Sequence, residues 1–138
     1  MDRPPPQILE TALYADDLDA AEAFYGGVLG LERIARGGNR HLFYRCGPGV
    51  LLIFNPSETE IPHAAGQLPV PPHGARGPGH LCFRAEADEI DSWRARLEAA
   101  GVAIESDMQW PGGGRSIYFR DPAGNSIEFT EARIWGIE

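Results

Sequence analysis

Two fifteen-residue stretches of this 138-residue chain, Arg40 to Phe54 and Arg115 to Phe129, read as copies of one another. The first is RHLFYRCGPGVLLIF and the second RSIYFRDPAGNSIEF. Arg40, Arg45, Gly49 and Phe54 recur as Arg115, Arg120, Gly124 and Phe129, and most positions between them exchange one apolar residue for another. The match extends upstream, where ETALYADDLDAAEAFYGGVLGLE from Glu10 answers HLCFRAEADEIDSWRARLEAAGVAIE from His80. Each begins with a short apolar alternation, passes into a helical period and stops at a glycine, Gly30 or Gly101. The offset is 70 residues at the start, 71 at those glycines and 75 at the arginines, which puts an insertion in the second copy around Met108 to Gly113. A duplicated strand–helix–strand unit restricts the fold far more than composition does.

The strand and helix signals follow the order βαβββ in each copy. In the first, Gln7 to Ala15 reads as a strand, and Asp16 and Asp17 cap a helix from Leu18 to Leu29. Strands follow near Leu31–Arg36, Arg40–Cys46 and Val50–Asn55. The second runs through a strand at Gly79–Ala85, a helix at Ala87–Ala100, and strands at Val102–Met108, Arg115–Arg120 and Asn125–Glu131. The fold class is therefore α+β: one domain over residues 7–131, made of modules 7–55 and 79–131, with a proline-rich loop, 56–78, between them. That loop is expected to be mobile and to fold over a cleft. The length suits one domain with a proper core.

A net charge of −8 argues against a nucleic-acid partner and leaves no basic patch for an anionic membrane. No apolar run is long enough to span a bilayer and MDRPPPQ lacks signal-peptide regions, so the expected setting is the cytoplasm, with Cys46 and Cys82 as reduced, buried thiols.

Strand parity selects candidate site residues, because successive side chains point to opposite sheet faces. Leu9, Thr11 and Leu13 share one face and Glu10, Ala12 and Tyr14 the other. Leu81 and Phe83 lie opposite His80, Cys82 and Arg84, and Ile127 and Phe129 lie opposite Ser126, Glu128 and Thr130. If each helix covers the apolar face, then Glu10, His80 and Glu128 all fall on uncovered faces. Glu10 and His80 are repeat equivalents, and Glu128 stands where the first copy has Ile53. A carboxylate in an apolar strand calls for a partner. The ordinary alternatives are Glu10 paired with an arginine, His80 packed in a core and Glu128 solvated on a strand.

Taken together, the doubled pattern, LYADDLDAAEAFYGGVLGLE, GPGHLCFRA and IYFRDPAGNSIEF resemble the vicinal-oxygen-chelate superfamily, the group of glyoxalase I, bleomycin resistance proteins and extradiol dioxygenases. The resemblance spans nearly all of Gln7 to Glu131 and is most specific at DPAGN followed by Glu128. It implies two modules whose strands form a cupped sheet around one divalent metal, with Glu10, His80 and Glu128 at ligand positions. Relatives more often carry His or Gln at the first, and Ile53 replaces a fourth ligand found in glyoxalase I. Two carboxylates and one imidazole suit zinc, nickel, manganese or iron and leave open positions for a substrate with adjacent oxygens. Lyase or isomerase chemistry is implied, with Glu128 or Glu10 as the proton acceptor, ahead of ring-cleaving dioxygenation. The rival is a metal-free ligand-sequestering protein of the bleomycin-resistance type, with Leu51 and Ile53 making its cavity apolar.

Further candidates for substrate contact are Arg115, as a bidentate carboxylate or phosphate holder, Trp110 beside the glycine run, His73 in the loop, and Ile53 on the cup face. Besides the small-molecule substrate, a second copy of the chain is the expected partner, because single-domain relatives pair module one with module two of a twin. A homodimer with metal sites shared between chains follows from that pairing.

Overall fold

The fold was obtained as a computed structural model, which describes residues 3–137. The chain divides into two compact units, one ending at Arg76 and the other beginning at Gly77. Each carries a four-stranded mixed sheet, the expected α+β arrangement. In the first unit β1 (Glu10–Tyr14) is followed by α1 (Leu18–Glu22), a π-helical turn (Ala23–Val28), β2 (Glu32–Gly37), β3 (His41–Cys46), β4 (Gly49–Phe54) and a short α2 (Pro56–Thr59). The second contains β5 (His80–Arg84), α3 (Ala87–Ala99), β6 (Ser106–Gln109), β7 (Arg115–Arg120), β8 (Ser126–Thr130) and a 3-10 turn (Ala132–Trp135). The sheet orders are β1-β4-β3-β2 and β5-β8-β7-β6, with the outer pair β1/β4 or β5/β8 parallel and the others antiparallel. Among the described residues, no helix is long and apolar enough to cross a membrane.

Helices α1 and α3 begin where local chemistry satisfies their free amides. Asp17 accepts the Ala20 N–H at 3.0 Å, and Glu86 with Glu89 forms a reciprocal capping box ahead of α3. The expected helix over Leu18 to Leu29 is α-helical only to Glu22; beyond it the Leu29 amide reaches back five residues to the Phe24 carbonyl. Each unit buries one sheet face beneath its helical layer. Leu18, Ala21 and Tyr25 pack with Leu13, Leu42, Tyr44, Leu51 and Ile53, while Ile90 and Leu97 lie with Ile117, Phe119, Ile127 and Phe129. Trp93 of α3 stacks on Phe129 with ring centroids 4.6 Å apart.

The pairing register corrects the ungapped repeat match by one residue. Cys46 pairs with Gly49 across the two-residue turn Gly47-Pro48, whereas Asp121 meets Asn125 across Pro122, Ala123 and Gly124. Gly49 and Gly124, matched in sequence, thus serve different needs. Gly49 starts β4, where a Cβ would lie 2.7 Å from the Leu9 carbonyl oxygen, and Gly124 is a turn residue with φ of 89°. Leu52 pairs with Ala12 and Phe43 as Glu128 pairs with Cys82 and Tyr118, so the counterpart of Glu128 is Leu52. Ile53 instead faces the helical layer, 1% exposed, and so does Leu51. Neither lines an open face, and the substrate-contact role expected of Ile53 is withdrawn on that ground.

The loop 56–78 is less free than its proline content suggested. His73 shares a 2.7 Å hydrogen bond with the Tyr14 hydroxyl, rests edge-on against Phe54, and donates its amide to the Thr59 carbonyl. Arg76 makes a bidentate pair with Glu60. His73 is accordingly a packing residue of the first unit.

Candidate functional site

The DPAGN turn positions the site in the second unit. Asp121 Oδ1 accepts the amides of Ala123 and Asn125, each at 2.9 Å, and Asp121 Oδ2 accepts the Asn125 side-chain amide at 2.9 Å. Asn125 Oδ1 in turn accepts the Gly79 amide at 2.7 Å. Both side chains are buried, and together they set where β5 begins. His80 then sits opposite Ser126, whose carbonyl lies 2.9 Å from its Nδ1. A carbonyl can only accept, so Nδ1 carries a proton and Nε2 is the ring nitrogen left to meet other groups.

That nitrogen approaches Glu128, with Nε2 3.3 Å from Oε1. The His80 side chain is 53% exposed and that of Glu128 only 7%. The other carboxylate oxygen, Oε2, is buried and makes no hydrogen bond among the described residues. The nearby Glu128 carboxylate raises the Cys82 thiol above its ordinary value, and burial followed by that carboxylate raises the Tyr118 phenol. Cys82 is exposed rather than buried as the sequence suggested. Both cysteines are free.

A cavity of about 460 Å³ adjoins the pair. Tyr118, Trp110, Ile134 and Trp135 contribute aromatic and apolar surface to it. The turn carrying Trp110 is the inserted segment: residues 38–40 join the pair Gly37–His41, whereas residues 109–115 join Met108–Ser116, four residues more. Its glycines admit the C-terminal 3-10 turn closely, since a Cβ on Gly114 would stand 2.4 Å from Ile134 Cγ2.

Of the residues selected by parity, His80 and Glu128 come together, and Glu10 occupies the open face of the other unit's sheet, exposed at the start of β1. Among the described residues, no three His, Cys, Asp or Glu side chains converge as a ready metal cluster. The His80–Glu128 pair nevertheless fits two ligands of a divalent ion. A buried carboxylate oxygen without a partner lies beside an imidazole whose proton is fixed on the far nitrogen by a backbone carbonyl, the outer-shell pattern that prepares histidine for ligation.

Arg115 lies elsewhere. It alternates with Ile117 and Phe119 on the helix-covered face, where Nε and Nη2 bind Asp107 at 2.9 and 2.8 Å and Nη1 binds Asp91 at 2.5 Å. Asp107 also meets Arg94, and the Arg115 hydrogen bonds chiefly hold its carboxyl down at about 2. Strand parity applied to Arg115 would have placed it there. Tyr118 was overlooked by sequence reasoning, although its position two residues from Ser116 on β7 carries the signal. Ile134 and Trp135 of the C-terminal turn carried an apolar signal, which pointed to packing on the domain or on a second subunit and not to a site.

A crystal structure of lactoylglutathione lyase from Agrobacterium tumefaciens is 49% identical, with a TM-score of 0.90 over 98% of this chain and 100% of that one. A virulence protein from Salmonella typhimurium is 25% identical, with a TM-score of 0.69 over 94% of this chain and 98% of that one. A glyoxalase/bleomycin resistance protein/dioxygenase from Nocardioides, 24% identical with a TM-score of 0.72 over 94% of this chain and 85% of that one, shares the fold. The search of curated proteins returned no match. The family model for the glyoxalase/bleomycin resistance protein/dioxygenase superfamily matches residues 7–129, and the chain belongs to that superfamily.

Proposed function

We propose that the chain is a divalent-metal-dependent enzyme carrying out lyase or isomerase chemistry on a small substrate with vicinal oxygens. Glu10, His80 and Glu128 are the proposed ligands. The observation that carries this reading is the Glu128 carboxylate, buried with Oε2 unpaired beside Nε2 of His80. Such a group is costly in an apo fold and well suited to a cation. The 49% identity to a lactoylglutathione lyase supports lyase chemistry in particular. When bound, a divalent ion supplies Lewis-acid stabilisation of developing oxyanion charge. The chain's part is to hold His80 in one tautomer through Ser126, to bring a carboxylate within reach of a substrate proton, and to shield that step beneath Trp110 and Tyr118. Glu128 or Glu10 accepts the proton.

Glu10 belongs to a different unit from His80 and Glu128, which fits a homodimer in which one chain supplies Glu10 and its twin the other two. Mixing Glu10→Ala with His80→Ala chains then restores one site per mixed dimer, whereas self-contained sites show no recovery. The primary test is metal content after purification without chelator or nickel affinity resin. One ion per site is expected, His80→Ala should weaken it at least tenfold, and His63→Ala in the exposed loop should leave it unchanged. Equal effects of the two variants, or activity retained in metal-stripped protein, would overturn the assignment. The apolar lining of the cavity favours a second reading, ligand sequestration without metal, which the same metal analysis separates.

A further inference from the structure

The cavity beside His80 and Glu128 is chemically one-sided, and its most prominent wall is a tryptophan that cannot turn. Trp110 donates its indole Nε1–H to Ser116 Oγ at 2.8 Å, Ser116 Oγ lies 2.7 Å from Thr130 Oγ1, and Thr130 donates to the Arg115 carbonyl at 3.1 Å. Every donor in this series has an acceptor, and Ser116 is fully buried. The backbone is closed as well, with the Trp110 amide donating to Gly114 and the Gly113 amide donating to Trp110. A ring held this way offers its face to a ligand with little ordering cost on binding.

Among the described residues, the same walls carry one cation, Arg133. Arg133 pairs through Nε with Glu131 at 3.0 Å, and Glu131 also accepts the Arg115 amide. Arg115 itself is committed to Asp91 and Asp107 on the opposite face. A carboxylate arriving here meets only the Nη atoms of Arg133, whereas the Trp110, Ile134 and Trp135 surfaces carry no charge.

We propose that this cavity receives an aromatic substituent of the ligand, adjacent to the vicinal oxygens held at His80 and Glu128, and that Trp110 sets the preference. The inference rests on the metal-dependent reading above and adds the substrate class: aryl-bearing molecules with neighbouring oxygens. The four additional residues that bring in Trp110 are present only in the second copy of the repeat, so the first sheet has no equivalent wall.

The test uses the metal-loaded full-length protein and two probes with the same oxygen-bearing head, benzohydroxamate and acetohydroxamate, which differ as phenyl against methyl. Calorimetric titration should show benzohydroxamate binding at least tenfold more tightly. In Trp110→Ala that ratio should fall below threefold, and Trp110→Phe, which keeps a ring but loses the Nε1 anchor, should fall between. Equal affinities in the unaltered protein overturn the aryl preference alone, as does a ratio that survives in Trp110→Ala. Absence of binding by either probe overturns the metal reading and the inference with it. The wild-type ratio decides the matter even if a variant fails to fold.

Discussion

Replacing Glu128 by leucine, the residue that the first sheet carries at the equivalent place, should make the metal-free protein more stable while removing metal uptake. The magnitude follows from the surroundings of the carboxylate. A buried polar atom without a partner costs about 1–3 kcal/mol, and Oε2 is such an atom. Against that gain stands the loss of the approach to His80, whose side chain is half exposed, worth about 0.5–1 kcal/mol at most. Leucine is close in size, so repacking costs should stay under about 1 kcal/mol. The expected net is stabilisation by about 1 kcal/mol, or roughly 3–5 °C in melting temperature for a chain of this length. Thermal and urea unfolding, followed by tryptophan fluorescence in the presence of chelator, measures it. Adding a divalent ion should then raise the midpoint of the wild type but not of the variant, because a ligand that binds only the folded state stabilises it. A Glu128→Leu protein that is less stable than wild type without metal would refute the reasoning, since Glu128 would then be satisfied in the apo fold.

Asp107→Asn should destabilise the protein at neutral pH by about 1 kcal/mol after solvent screening. The Asp107 carboxyl is depressed to about 2, so its contribution is full above the unfolded value near 4 and disappears as pH falls through about 2. The gap between wild type and variant should therefore close by pH 2, and a gap that persists there contradicts the ion-pair account. Gly114→Ala forces a Cβ onto Ile134 at a φ of 101° and should cost about 1–3 kcal/mol in urea unfolding; unchanged stability would mean the C-terminal turn does not pack there. Ser116→Ala strands the Trp110 indole N–H and should cost about 1–3 kcal/mol while weakening the near-ultraviolet circular dichroism. An intact spectrum would show that the indole is held by something else.

Much of this arrangement was legible because duplicated patterns constrain one another. The order of elements, the covered faces and the shared parity of His80 with Glu128 all followed from apolar alternation, which burial enforces. The failures are local. The register of β4 slipped by one because the two β-turns differ by a residue, and a one-residue shift moves every side chain to the other face; that is why Ile53 was misplaced and Leu52 missed. Arg115 was assigned by charge, without the strand parity that sends it toward α3. The π-helical turn after Glu22 left no periodic signature distinct from a continuing helix, since Phe24, Tyr25 and Val28 satisfy both. His73 read as a loop residue because its partners, Tyr14 and Phe54, are distant in sequence.

The two clamps on the inter-unit segment carry a consequence for how this chain can tolerate change. Toward its C-terminal end, His73 and Arg76 fasten it to Tyr14 and Glu60; just beyond it, Asn125 fixes Gly79 one residue before His80. Residues 61–72, between α2 and His73, are thus separated from His80 by both clamps. Length variation there is absorbed before it reaches His80, whose position is dictated entirely by the β7–β8 turn and by Ser126. Substitutions in Asp121 or Asn125, far along the chain, transmit to the imidazole directly, whereas insertions only a dozen residues upstream of it do not.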